Sequence, residues 1–305
     1  MKKLKVALGV LLGLALALVL VAKLVLLTAR DLPEKARFTL DLAALREAAG
    51  PIETCPGSAH AEQVARMEQR EALAVAGGPF SKVTFGFYAW QLRYADGTSV
   101  VLDPVHSRRT QEKQSKGQPY DDGAWARQEK AVAAASAIAV THEHYDHLGG
   151  AADSAHFASF GPRLKLTAAQ RRPLRFGSVD RDLSGEPTLE SGPEGSLHQV
   201  APCVVAVSAA GHTPGSQMLY VRMKGGAELL LVGDIVWQES AFERLSTRPR
   251  LVSSIMGEDA EAITHQIRAI LDLKKAAPSI DVVVAHDVPA MERRFQSGAV
   301  GRGFN

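Results

Sequence analysis

Hydrophobic and polar positions divide the chain into three stretches of different character. A short basic start is followed by an uninterrupted apolar run over residues 6–22, which resumes after Lys23. A membrane-spanning helix needs about 20 mainly apolar residues, and the segment reaches that length when Lys23 is counted near its end. Residues 1–29 are therefore predicted to form a membrane anchor or, alternatively, a cleaved export signal.

The basic start also predicts where the remaining chain is located. Lys2, Lys3 and Lys5 precede the apolar run, and lysines in that position stay on the cytoplasmic side of a membrane. We therefore expect an exported protein that contacts the membrane through its N-terminal segment. It would face the periplasm from the inner membrane, or be secreted if the segment is cleaved.

The second stretch, residues 30–78, is predicted to be a linker followed by a helical extension. Residues 40–49 and 61–76 are rich in alanine, glutamate, arginine and leucine, which favour helices. Pro51 and Pro56 separate the two segments, because proline interrupts a helix.

The third stretch, residues 79–305, is predicted to be the catalytic domain, and it begins with a β-hairpin. Residues 83–94 are β-branched and aromatic, residues 95–98 have the composition of a turn, and residues 99–102 resume the apolar pattern. Residues 121–135 and 259–273 are predicted to be helices, the second with isoleucine and leucine along one face.

Four short apolar runs in this domain are each followed by a histidine or an aspartate. Each run has the length and composition of a buried strand. Because helical stretches alternate with these strands, we expect an α/β sandwich with polar side chains gathered along one edge of a sheet. The runs and the residues after them are residues 138–140 with His142, 204–207 with His212, 229–232 with Asp234, and 282–284 with His286.

Composition and charge narrow the functional classes. The chain is 46% hydrophobic and 22% charged, which is ordinary for a globular protein with a sizeable core. Its net charge is +2, and the lysines and arginines are scattered, so no nucleic-acid partner is expected. An exported domain could pair Cys55 with Cys203 in a disulfide, although a buried free thiol at Cys203 is an equal alternative.

The densest group of polar residues is the segment from His142 to His147, which holds three histidines and an aspartate. His142 and His144 alternate along an extended segment, so both imidazoles can reach one metal ion. Asp146 and His147 follow where the chain can turn into a helix, and they can face a neighbouring position. Gly149 and Gly150 then allow a close approach of the backbone.

Together these residues resemble the metallo-β-lactamase superfamily. The resemblance implies a four-layer αββα sandwich and two divalent metal ions. His142, His144 and His212 would hold the first ion. Asp146, His147 and His286 would hold the second, and Asp234 would bridge both. Asp103, at the end of the second strand of the hairpin, resembles the family aspartate that supports the site without being a ligand.

The ligand types agree with this resemblance. Imidazole suits zinc, while the carboxylates also allow iron, manganese or cobalt. Two adjacent cations would lower the pKa of a shared water to near neutrality, and the hydroxide would attack a carbonyl carbon. Asp146 and Asp234 are the candidate catalytic carboxylates, and the expected partner is a small-molecule substrate.

An aspartate at the bridging position, here Asp234, is similar to the residue found there in the lactonase and glyoxalase II branch of the superfamily. Lactone hydrolysis is the first hypothesis for this metal-dependent hydrolase. A glyoxalase II type thioester hydrolase is an alternative, as is an oxidoreductase similar to the mono-iron persulfide dioxygenases. One departure concerns Trp237, which stands where quorum-quenching lactonases often place a tyrosine that donates to the substrate carbonyl.

Overall fold

Two β-sheets and the helices that cover them make up the computed structural model, which describes residues 2–184, 188–190 and 192–304. The strands are β1 (Ser58–Arg70), β2 (Lys82–Arg93), β3 (Ser99–Leu102), β4 (Ala137–Ala139), β5 (Leu164–Thr167), β6 (Thr188–Leu189), β7 (Leu197–Ala201), β8 (Val204–Ser208), β9 (Gln217–Arg222), β10 (Glu228–Leu231), β11 (Ile280–Val283) and β12 (Gly301–Arg302). The α-helices are α1 (Lys2–Leu26), α2 (Leu42–Ala49), α3 (Glu71–Ala74), α4 (Arg108–Gln114), α5 (Asp122–Ala134), α6 (Tyr145–Ala152), α7 (Phe157–Phe160), α8 (Ser240–Glu243), α9 (Arg250–Met256), α10 (Ala260–Ala276) and α11 (Val288–Ser297).

The two sheets differ in size and in the direction of their strands. Over the described residues, the first sheet has the order β12-β1-β2-β3-β4-β5-β6 and the second has the order β11-β10-β9-β8-β7. In the first sheet β2 pairs antiparallel with β1 and β3, whereas β3, β4 and β5 run parallel. The antiparallel pairing of β2 with β3 confirms the predicted hairpin.

Three apolar layers hold the sheets and helices together. Trp90 of the first sheet and Leu219 of the second pack in the layer between the sheets. Ile138 packs against Leu148 of α6 on the outer face of the first sheet. On the outer face of the second sheet, Ile267 of α10 belongs to the covering layer. Helices thus flank both sheets, which confirms the predicted αββα sandwich.

Helices α5 and α10 begin where their sequences contain a capping aspartate. Asp121 Oδ1 accepts the backbone N–H of Ala124 at 2.9 Å. Asp259 Oδ1 accepts two N–H groups at the start of α10. A side-chain acceptor satisfies backbone donors that have no partner within the first turn of a helix. The bounds of α5 and α10 confirm the helices predicted over residues 121–135 and 259–273.

The prediction of a helix over residues 61–76 is wrong. Most of that segment is strand β1, which pairs with β2 along its full length, and α3 is only a short helix after it. Alanine, glutamate and arginine favour a helix locally, but pairing with the aromatic strand β2 and burial of Val64 and Ala65 override that preference. Helix α2 lies within the other predicted helical segment. The division of the chain at residues 29 and 78 stays a prediction.

The N-terminal segment forms α1, whose described side chains include exposed leucines and valines. Met1 and several side chains of α1 lie outside the described residues. Within the described part of the chain, no helix satisfies both the length and the apolarity needed to cross a membrane. The membrane contact expected through residues 1–29 is therefore not supported.

Cys55 and Cys203 form a disulfide that joins positions 148 residues apart. Cys203 lies at the turn between β7 and β8, and Cys55 follows α2 and a short 3₁₀ turn. The bond therefore ties the segment that precedes β1 to the second sheet. The structure decides between the two alternatives that the sequence left open.

We expect removal of this disulfide to destabilise the metal-free protein by about 2–5 kcal/mol, because the crosslink closes a long loop in the unfolded chain. Denaturant unfolding of the Cys55→Ala/Cys203→Ala variant measures the effect. Reduced wild-type protein is the control, and its midpoint should match that of the variant. Equal stability of the variant and the oxidised wild type would contradict the prediction.

Candidate metal centre

The histidine-rich segment occupies the connection between β4 and α6. His142 and His144 lie in this connection, and Asp146 and His147 lie in the first turn of α6. The backbone passes close to its neighbours there: a Cβ on Gly150 would come within 2.6 Å of the backbone of Pro104. This close contact confirms the reason given for a glycine at this position.

The first group of candidate ligands contains three histidines and one oxygen of Asp234. His144 Nδ1 lies 2.9 Å from His142 Nε2 and 3.0 Å from His212 Nε2. Asp234 Oδ2 lies 3.4 Å from His212 Nε2 and 3.7 Å from His142 Nε2. These four atoms converge on one point from three different connections, so the group can hold one metal ion.

The second group shares Asp234 with the first but uses the other oxygen. Asp234 Oδ1 lies 3.0 Å from His286 Nε2 and 3.3 Å from His147 Nε2. Asp146 Oδ2 completes the group at 3.5 Å from His286 Nε2 and 3.6 Å from His147 Nε2. All seven residues predicted as ligands therefore lie together, while their role as ligands stays a prediction.

The donor atoms fit a pair of metal ions. Among the described residues, His147 Nε2 and Asp234 Oδ1 are fully buried polar atoms without a hydrogen-bond partner. A buried polar atom without a partner is costly, and a cation between these two would satisfy both. Burial also lowers the pKa of His144 to about 4, so its imidazole is neutral and can offer a lone pair.

Asp103 holds the loop and orients one of the histidines. Its Oδ1 accepts the backbone N–H of Thr141 at 2.6 Å, and its Oδ2 lies 2.9 Å from His147 Nδ1. A carboxylate can only accept, so Nδ1 of His147 donates and Nε2 is the ring nitrogen that faces the second group. Asp103 adopts a φ of 47°, in the left-handed region that aspartate tolerates better than most residues.

Glu143 joins the two loops that carry the first group. It is buried, and its carboxylate accepts the Thr213 hydroxyl at 2.7 Å and the Gly215 N–H at 3.0 Å. Thr213 and Gly215 lie one and three residues after His212, so these bonds set the distance between the two histidine loops. Glu143 thus supports the site from behind rather than facing it.

The sequence of the central region matches the family model of the metallo-beta-lactamase superfamily over residues 88–276. The chain belongs to this superfamily. None of the curated proteins matches its sequence. With the family shown and the two ligand groups in place, the chain is a metal-dependent hydrolase.

Solved structures of the superfamily share the fold at low identity. An N-acyl homoserine lactone hydrolase with bound N-hexanoyl-L-homoserine is 14% identical, with a TM-score of 0.61 over 78% of this chain and 96% of the other. A quorum-quenching N-acyl homoserine lactone lactonase is 15% identical, with a TM-score of 0.58 over 81% and 97%. A probable metal-dependent hydrolase from Staphylococcus aureus is 10% identical, with a TM-score of 0.54 over 77% and 90%.

An apolar cleft leads to the two ligand groups of this metallo-β-lactamase domain. Its volume is about 340 Å³, and its inner end is formed by His144, Asp146, Asp234 and His286. Apolar side chains from the strands, the loop around Phe176 and α9 line most of its walls, with a few polar groups between them. The apolar residues are Met67, Leu73, Phe85, Phe87, Phe176, Trp237, Val252 and Met256, and the polar ones include Gln69, Gln114 and Tyr145.

Two contacts behind the ligands were not predicted from the sequence. Glu258 Oε1 lies 2.6 Å from His212 Nδ1, and Trp237 Nε1 donates to Asp234 Oδ2 at 2.9 Å. Burial opposes the ionisation of Glu258, but Arg248 and His212 hold its pKa down to about 2, so the carboxylate accepts from His212. Glu258 lies directly before Asp259, the residue that caps α10. No local sequence pattern distinguishes Glu258 from an ordinary surface glutamate.

We expect Asp103→Asn to weaken metal binding about 10–100-fold, because the substitution removes the charge that orients His147. Asparagine also tolerates the left-handed backbone at this position, so the loop should keep its shape. Metal affinity is measured by competition with a chelating dye. Asp96→Asn, in the exposed β2–β3 turn, is the matched control and should bind like the wild type. Unchanged affinity in Asp103→Asn would show that the carboxylate does not act on the site.

Proposed function

We propose that this protein is a two-metal hydrolase that opens lactones or related esters. The observation that supports this most is the position of Asp234. Its two carboxylate oxygens belong to different ligand groups, so one side chain can bridge two ions. Five of the seven candidate ligands are imidazoles, and we therefore propose zinc for both groups.

The side chains around the two groups suit ester hydrolysis. Two bound ions would supply an activated water near neutral pH and would polarise the substrate carbonyl. Asp146 and Asp234 are the two carboxylates at the inner end of the cleft, and Asp146 belongs to the second group alone. We propose that it accepts the proton that the water loses and returns it to the leaving oxygen.

The cleft favours a substrate with an apolar substituent. Phe85, Phe87 and Met67 line it, the two phenylalanines in ring contact with His286, and burial of an apolar chain against them would contribute binding free energy. Two of the structural neighbours are lactone hydrolases by name. The indole N–H of Trp237 already donates to Asp234, so it does not replace the tyrosine donor that quorum-quenching lactonases often have at this position. We propose that two bound metal ions would polarise the carbonyl in its place.

Metal analysis combined with a substrate panel tests the proposal. We expect two zinc ions per chain and turnover of medium-chain lactones above that of thioesters, aryl esters and β-lactams. Activity should disappear after chelation and return when zinc is added. One iron per chain with oxygen consumption would instead support the dioxygenase alternative. A protein with two metals and no turnover across the panel would overturn the proposal.

We also propose that the domain functions outside the cytoplasm. The Cys55–Cys203 disulfide supports this, because disulfides persist mainly in oxidising compartments. Thiol alkylation of protein taken directly from cells of its host gives the test. Both cysteines should resist alkylation until a reductant is added. Immediate labelling of both would contradict the proposal.

A further inference from the structure

Trp237, Arg248 and Glu258 form a connected chain of contacts behind the metal centre, although none of them is a candidate ligand. The guanidinium carbon of Arg248 lies 4.4 Å above the Trp237 ring. Arg248 Nη2 and Nε donate to the two oxygens of Glu258, at 2.5 Å and 3.2 Å. The indole, the guanidinium and the carboxylate are therefore held against one another; we call these three residues the backing triad.

Both ends of the backing triad reach the first ligand group. At one end Trp237 Nε1 donates to Asp234 Oδ2, and at the other Glu258 Oε1 accepts from His212 Nδ1. The two ligand atoms that these contacts control, Asp234 Oδ2 and His212 Nε2, lie only 3.4 Å apart. The contacts therefore close a ring through these two atoms of the first ligand group.

The burial of Arg248 and Glu258 argues for a positioning role. The side chains of Arg248 and Glu258 are 3% and 0% exposed. A buried ion pair contributes little to stability, since the loss of hydration offsets most of its attraction. Fully paired polar networks in such an environment do restrict geometry, and partners behind a metal ligand set its orientation.

The hydrogen bonds of the triad reach Asp234 Oδ2 and His212, which belong to the first ligand group. Asp234 Oδ1, which faces the second group, receives no hydrogen bond within the described part of the chain. His147 is oriented by Asp103, and His286 Nδ1 lies 3.1 Å from the Gly86 carbonyl oxygen. The second group thus depends on residues outside the triad.

We infer that Trp237, Arg248 and Glu258 are positioning residues that set the metal affinity of the first ligand group independently of the second. The inference rests on the proposed two-metal function. Trp237 holds Asp234 Oδ2 toward the first group, and Glu258 keeps the His212 imidazole in the tautomer and orientation that present Nε2. Arg248 contacts both Trp237 and Glu258, so a substitution at one of them changes the position of the other.

The metal affinities of the two ligand groups can be measured separately in variants that keep only one group complete. In a His147→Ala background only the first group is complete, and in a His142→Ala background only the second. Adding Trp237→Phe keeps an aromatic ring beneath Arg248 but removes the N–H donor. We expect it to weaken Co²⁺ binding about 10–100-fold in the first background and less than about twofold in the second.

The visible absorption of bound Co²⁺ gives the affinity and reports the ligand geometry directly. We expect the Trp237→Phe change to alter the spectrum of the first group only. Trp125→Phe, on α5 and away from the site, is the matched control and should change neither affinity nor spectrum. Equal losses in both backgrounds, or no loss in either, would overturn the inference.

Coupling through Arg248 is tested by adding Glu258→Gln to the first background, alone and together with Trp237→Phe. Contacts within one network are not additive, so the double change should weaken Co²⁺ binding by less than the product of the two single losses. A loss equal to that product would show that the two residues act separately. Thermal unfolding of each metal-free variant checks that the fold is intact, and Trp237→Phe alone decides the inference if Glu258→Gln does not fold.

These experiments keep the inference apart from the proposed function. Wild-type protein that binds two ions but hydrolyses nothing would overturn the proposed function and leave the affinity comparison valid. Wild-type protein that hydrolyses lactones, with unaltered binding in Trp237→Phe, would overturn the inference alone.

Discussion

The metal centre depends on one buried carboxylate that faces two groups of histidines. Burial would raise the pKa of Asp234, but His286, His147 and His142 hold it well below its ordinary value, so the group stays ionised. A buried anion is tolerated only where positive charge compensates it, and two metal ions between Asp234 and the imidazoles would do so. The positions of the surrounding strands and loops follow from the need to bring these donors to one place.

Strand ends from both sheets supply those donors. β4 leads into the loop of His142 and His144, while β10 leads to Asp234 and β11 to His286. The parallel pairing of β3 with β4, and of β10 with β11, brings ends of the same direction together at one edge of each sheet. Packing of the two sheets against one another then joins the two edges. A sandwich of this kind places ligands that are distant in sequence within a few ångströms.

Different residues support the ligands of the two groups. Asp103 and the Gly86 carbonyl hold the histidines of the second group, whereas Glu258 and Trp237 act on the first. Residues of both groups line the inner end of the cleft, His144 and Asp234 from the first and Asp146 and His286 from the second. Each group is therefore held by its own contacts although both face the same cleft.

The sequence by itself determined the hairpin, the two capped helices and the identity of the residues at the centre. These features are encoded by neighbouring residues: apolar runs are followed by histidine or aspartate, and a capping aspartate precedes α5 and α10. Only the tertiary structure decided that residues 58–70 form a strand, that Cys55 pairs with Cys203, and that Trp237 and Glu258 contact Asp234 and His212. These features depend on contacts between residues far apart in the chain. Pairing with β2 outweighs the local helix preference of β1, and no pattern within a short window records which side chains will meet.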